Sequence, residues 1–491
     1  MELLKSKEKY QSKIVNKKEP ALRALALDAL RGIAILGMIL SSRIPSTLPS
    51  WMFHAQNPPP THSFHPEIPG ITWVDLVFPF FLFAMGAAIP LALKPKLESS
   101  KITNVLLDIV KRTVMLVFFA IVIEHIMPGV MVKEPTFYTY IISLLCFLCL
   151  FLSYVKLPSH LKLKNYERIF RIIGFTGLII FLAWITYPDG SGFKVQRSDI
   201  IILVLANVFF FGSLLWLATQ NNFLIRLSIF GVLLAFRLTH TLEGNWLAWA
   251  WNNFQIPWLF KIYYLQYLFI VIPGTIAGDI ILKWINNAGK EDTLNSFLNN
   301  SSLKIKNIFL TSFIFISIII IVSGLYSRQV FPTTLYAFTF CLIGWLLIYK
   351  DKSVNEKFIK SLFGWGTIWL IIGIMLDPYE GGIQKGRPTL SFYFVTSGIA
   401  LMLLVSFTII IHFFNKHNYL DLVIKTGQNP LLAYAGGTNL ITPLLAITMI
   451  DGLLQSLAIT PWLGFVKGLF VTLLLLYLVK VLTNNKIFLR A

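Results

Sequence analysis

Fourteen apolar runs, the first at 28–42 and the last at 461–482, are each long enough, or nearly so, to cross a hydrocarbon core of about 30 Å. A backbone surrounded by lipid must satisfy its own N–H and C=O groups, so runs of this kind are expected to be helices. Several are short or share a tight turn. The expected fold is therefore all-α: a polytopic integral-membrane helical bundle of about 11 to 14 transmembrane helices. The make-up of the chain agrees, since 56% of its 491 residues are hydrophobic and only 13% are charged. A mean hydropathy of +0.70 leaves little room for a soluble globular class.

The net charge of +19 would point to nucleic acid in a soluble protein. Here the Lys and Arg fall mostly in short loops between apolar runs. If the basic stretch 1–27 is a cytoplasmic tail, the segments on its side of the membrane hold 22 Lys and Arg and the opposite segments about seven. That bias predicts that both the N-terminus and the C-terminus are cytoplasmic. No internal repeat and no soluble insertion is legible, so residues 28–491 read as a single transmembrane domain. Cys146, Cys149 and Cys341 all sit inside apolar runs, where they pack as small hydrophobes and suggest neither disulfides nor a metal knuckle.

Four constellations carry polar chemistry. In LDALRG, Asp28 and Arg31 are three residues apart and share a helix face near the cytoplasmic end of the first run. Arg31 can pair with Asp28 or offer its guanidinium to an anionic ligand, and Gly32 admits a close neighbour, helix or ligand. In the outer segment 43–72, His54, His62 and His65 accompany Pro58–Pro60, which stiffen the backbone. A histidine there suits proton abstraction near neutral pH, with Asp75 or Glu67 as the carboxylate that fixes its tautomer. The spacing of these histidines matches no standard metal-ligand motif, and no metal is expected. Glu124, His125 and His240 lie toward the outer ends of other runs, where a shared wet vestibule would make them tolerable. In TGQNPLLAYAGGTNLI, Gly427, Pro430, Gly436 and Gly437 interrupt an apolar run, either to pack helices closely or to border a ligand path. Nearby, Lys385 and Arg387 stand in an outer segment and could meet an anionic substrate.

LDALRGIAILGMIL, followed by HPEIPGITWVDLVFPFFLFAMGAAIPLAL, closely resembles the heparan-alpha-glucosaminide N-acetyltransferase family and its bacterial relatives, and TGQNPLLAYAG is similar to a segment near that family's C-terminal end. The resemblance implies a transmembrane acyltransferase that takes acetyl-CoA from the cytosol and acetylates an amino sugar or glycan on the opposite side. For a bacterial homologue it implies the inner membrane, and a homodimer is an expectation of the family alone. It puts His65 in the catalytic position, with Asp75 behind it, as base or as acetyl carrier. Asp28, Arg31 and Gly32 would serve the acetyl-CoA end, and Ser42, Glu124, His240 and Asn429 the acceptor. The family carries an asparagine where Ser42 stands here, a departure that bears on how the acceptor is held. The alternative class is a secondary transporter of a small solute, which broken helices would also suit.

Overall fold

Leu25–Ser41 (α1), Trp73–Ser99 (α2) and Ile102–His125 (α3) open the chain as three successive long helices. The computed structural model describes residues 24–242, 244–288, 301–349, 353–414 and 417–491, so most of the expected basic tail lies outside the described residues. The order continues through α4 (Phe137–Tyr154), β1 (Val155–Lys156), α5 (Glu167–Trp184), α6 (Ile200–Thr219), α7 (Phe223–Thr239), α8 (Trp246–Asn253) and a two-residue hairpin of β2 (Gln255–Ile256) and β3 (Phe260–Lys261). The second half contains α9 (Leu268–Ala288), α10 (Ser301–Tyr326), α11 (Val330–Ile348), α12 (Val354–Met375) and α13 (Leu390–Thr408). It closes with α14 (Asp421–Gln428), α15 (Pro430–Gly436), α16 (Thr442–Ile447), α17 (Ile450–Leu457), α18 (Pro461–Asn484) and β4 (Phe488–Leu489).

All fourteen apolar runs are helical, and among the described residues ten helical spans are long and apolar enough to cross a membrane. The molecule is an all-α integral-membrane bundle. The other four runs fall short for identifiable reasons. α1 and α7 have 17 residues each, Asp108, Lys111 and Arg112 break the apolarity of α3, and Glu167, Arg168 and Arg171 that of α5.

Burial separates an inner set of helices from an outer one. Every residue of α13 is buried, including Ser391, Thr396, Ser397, Ser406 and Thr408, which protein rather than lipid surrounds, and the span Trp73–Ser99 is nearly as enclosed. These two pack with α1, α9 and α12 at the centre of the bundle. The spans of α4, α10, α11 and α18 bury little more than a third of their residues, so they form the rim. Between helices in lipid there is little hydrophobic drive, and close packing of small residues replaces it. A Cβ at Gly32 would lie 1.9 Å from the carbonyl oxygen of Val423, and one at Gly427 would lie 1.8 Å from that of Asp28. α1 and α14 therefore cross in backbone contact. The ambiguity at Gly32 resolves in favour of a helix neighbour: its open side is filled by Val423 and offers nothing to a ligand.

Candidate active site

The N-terminus of α2 is built around Asp75, which is fully buried. Its Oδ2 accepts from the backbone N–H groups of Thr72 (2.9 Å) and Ala55 (3.2 Å) and from the Thr72 hydroxyl (3.3 Å). Thr72 in turn caps the helix, as a threonine followed three residues later by an acidic residue favours. The other carboxylate oxygen, Oδ1, stands 2.6 Å from Nδ1 of His54. A carboxylate only accepts, so Nδ1 of His54 carries the proton donated to Asp75, and the ring is fixed with Nε2 as its second nitrogen.

A third group joins them from the segment between α12 and α13. Lys385 Nζ lies 3.2 Å from Nδ1 and 3.4 Å from Nε2 of His54, and 4.0 Å from Asp75. Burial pushes the Lys385 ammonium below its ordinary value, with Asp75 working in the opposite direction. The segment that presents it is itself anchored, because Asp377 pairs with Arg328 through both oxygens and accepts from the Ile383 amide, while Gly70 N–H donates to the Ile383 carbonyl.

His54 and Lys385 line a cavity of about 410 Å³ whose walls come from α1 (Met38, Ile39), α2 (Val77, Phe78), α3 (Ile123), α6 (Ile201) and α15 (Tyr434, Ala435). On its far wall the Tyr434 hydroxyl donates to Asp199, the residue that caps α6 (2.8 Å). Ser42 also lines this cavity, with its hydroxyl donating to the Ile39 carbonyl. Arg43 ties the same corner to the helix break after α15 through the Gly437 carbonyl and Thr442.

A second cavity, of about 290 Å³, lies further along the same helices. α1 contributes Arg31, α2 Phe81 and Met85, α3 Arg112 and Leu116, α6 Leu205 and Phe209, and α15 Pro430 and Leu431, joined by Arg490 and Ala491 from the end of the chain. The two cavities share no lining residue. On α2, α6 and α15 their linings are about one helical turn apart, since Phe78 precedes Phe81, Ile201 precedes Leu205 and Leu431 precedes Tyr434. Arg31 donates to the carbonyls of Gly427 (3.1 Å) and Ala84 (3.3 Å) and stands 3.4 Å from Asp28. The Asp28–Arg31 pair is therefore present, with the arginine still on the cavity wall.

Other expected site residues lie elsewhere. His65 does not meet Asp75. Its Nδ1 pairs with Glu67 (3.1 Å) and its Nε2 with the Ser63 hydroxyl (2.7 Å), all on the exposed loop and outside the cavity lining. The carboxylate expected to orient His65 is Glu67, and Asp75 belongs to His54. His62 lines the same cavity as His54 but turns its Nε2 toward the Ser46 carbonyl (2.8 Å), so the three histidines have separate partners. His240 follows α7 and stacks on Trp251 with ring centroids 3.9 Å apart, away from both cavities. Glu124 sits near the end of α3 but does not line the His54 cavity. Asn429 is buried and holds backbone and side-chain groups of residues 483–489. Lys385, Arg112, Arg490, Asp199 and Tyr434 escape a reading of spacing because their partners are remote in sequence; for Arg112, a charge inside an apolar run was the available signal.

A family described as a domain of unknown function (DUF5009) matches residues 23–281, just over half of the chain and the part that contains His54, Asp75 and Arg31. No curated protein matches the chain.

Proposed function

The chain belongs to the DUF5009 family, and from that premise and its two stacked cavities we propose that the protein is a transmembrane acyltransferase, with acetyl-CoA as donor and an amino sugar or glycan as acceptor. The single observation that carries the reading is His54, held by a buried carboxylate on the wall of one of two separate cavities stacked along the same helices, the other of which is lined by arginines. It moves the catalytic role from His65 to His54 and keeps Asp75 as its partner. The likeness of the α1 and α2 sequences to heparan-alpha-glucosaminide N-acetyltransferases supports the donor and acceptor classes.

In this reading the acceptor enters the His54 cavity from the outer side of a bacterial inner membrane, and both chain termini face the cytoplasm. Nε2 of His54 takes the proton of the acceptor amine or hydroxyl as that atom attacks the thioester carbonyl. The Lys385 ammonium stands where it can stabilise the oxyanion that develops. Collapse of the tetrahedral intermediate breaks the C–S bond, and the imidazolium returns the proton to the leaving thiolate. The products are the acylated acceptor and free CoA thiol. The same lone pair would serve if His54 carried the acetyl group itself.

The donor's anionic nucleotide suits the arginine-lined cavity, and its thioester arm has to pass the narrow layer between the cavities. Arg31 and Met38, which line the two cavities on α1, are seven residues apart, about 10 Å of helix. A slender pantetheine arm can span that distance once the side chains of the intervening one to two turns move aside.

The test is turnover of labelled acetyl-CoA by purified protein in lipid nanodiscs with a panel of amino sugars. Label is expected on a sugar with the wild type and not with His54→Ala, while His65→Ala retains transfer. Undiminished transfer by His54→Ala would overturn the assignment. Movement of a solute without consumption of acetyl-CoA would favour the secondary-transporter alternative.

A further inference from the structure

Residues 487–491 contain one two-residue strand, β4, too short to persist without partners, yet both of its edges are hydrogen-bonded. On one edge it pairs antiparallel with β1, Val155 opposite Leu489 and Lys156 opposite Phe488, and the Arg490 amide donates to the Tyr154 carbonyl (2.9 Å). On the other edge the side chain of Asn429 acts as a strand. Its Oδ1 accepts from the Leu489 amide (3.0 Å) and its Nδ2 donates to the Ile487 carbonyl (3.0 Å). Asn429 is fully buried, so undocking of the segment would take the partner from its Oδ1 and leave its Nδ2 only the longer contact with Thr483 (3.4 Å).

Docking delivers Leu489, Arg490 and Ala491 to the wall of the Arg31 cavity. Three guanidinium groups from three distant parts of the chain then converge there. Arg112 lies 4.6 Å over the ring of Phe209 and has no ion-pair partner among the described residues. Arg490 lies 4.7 Å over the ring of Phe488. A guanidinium is a planar fork of N–H donors whose geometry matches phosphate.

We propose that residues 487–491 form a docking strap that completes the anion site: Arg490 contacts phosphate groups of a nucleotide-bearing donor, and Asn429 is the positioning residue that holds the strap in place. The inference rests on the donor assigned above and adds the residues that recognise its phosphates. Because the docked strap forms part of the site, an anionic donor binds the docked state more tightly and so stabilises it.

The experiment uses the full chain in lipid nanodiscs and compares two thioesters, acetyl-CoA and S-acetylpantetheine, which lacks the nucleotide, with CoA binding measured by calorimetry. Arg490→Gln is expected to weaken CoA binding and raise KM for acetyl-CoA by roughly tenfold to a hundredfold, the loss of a charge-assisted contact, with S-acetylpantetheine turnover unchanged. Asn429→Ala is expected to act in the same direction, again sparing the short thioester. Wild-type CoA affinity in Arg490→Gln, or equal losses with both thioesters, would overturn the proposal. His54→Ala separates the two ideas: it is expected to keep CoA affinity, and transfer surviving in it would remove the catalytic assignment while leaving the strap standing.

Discussion

His54 and His65 belong to one loop, eleven residues apart, and each has a carboxylate against Nδ1, but their surroundings differ in every respect that matters for chemistry. The partner of His54 is wholly enclosed and held by three further donors, whereas Glu67, the partner of His65, is 66% exposed. The backbone amide of Glu67 and its contact with His65 hold that carboxyl below its ordinary value, as hydrogen bonds and a nearby ring can do at a surface. His65 also spends Nε2 on Ser63, a bond across two residues of the same loop. The Nε2 of His54 is on the cavity side, with Lys385 Nζ from a remote segment 3.4 Å away. A histidine–carboxylate pair becomes a candidate catalytic group through burial of the carboxylate and access of the second nitrogen, and adjacency in sequence supplies neither.

The contrast can be broken most decisively by His54→Ala, which is expected to lower transfer by about a hundredfold to ten-thousandfold, the range for loss of a general base, in a turnover assay. Asp75→Asn should follow: it puts an amide where two backbone N–H groups and His54 all donate, with a stability cost of about 3 kcal/mol visible as a lower unfolding temperature alongside lost activity. Gln56 links the two environments, since its side chain donates to the Ile68 and Gly70 carbonyls and its own carbonyl accepts from the His65 amide. Gln56→Ala should cost about 1–3 kcal/mol by leaving buried carbonyls unpaired, and should impair catalysis by loosening the loop that carries His54.

Lys385→Met gives a subtler, pH-dependent signal. A lysine whose pKa is lowered in the folded state disfavours folding while it is charged, and that penalty fades as pH rises from its folded value toward 10.5, because the folded state has already shed the proton. Relative to wild type, the variant is therefore expected to be most favoured at neutral pH, with the advantage shrinking as pH approaches 10.5. Thermal unfolding across that window checks the sign. The smallest effect is expected from His65→Ala, within about 0.5 kcal/mol of wild type and with transfer retained. A large loss of transfer there would reverse the comparison.

Much of this was legible before any coordinates. Each of the fourteen apolar runs is a helix, and the Thr72–Asp75 spacing that caps α2 is visible in ITWVD. The Asp28–Arg31 pair is likewise a matter of three-residue spacing on one helix. Which histidine meets Asp75 was not legible: nearness to the start of α2 favours His65, whereas the loop folds back so that residue 54 reaches residue 75. Lys385 stands out in the sequence as a cation of an outer segment, but nothing local announces that it meets His54, 331 positions away.

Hydropathy and capping were determined by the sequence alone, because lipid forces each apolar run to satisfy its backbone internally and a helix end needs only neighbours three residues off. Only the tertiary structure decided which histidine meets Asp75, that Gly32 receives a helix instead of a ligand, and that two cavities stack along the same five helices. These depend on loop closure and on the contact of helices hundreds of residues apart, interactions whose energies are set by packing geometry and have no period or spacing to betray them in the chain.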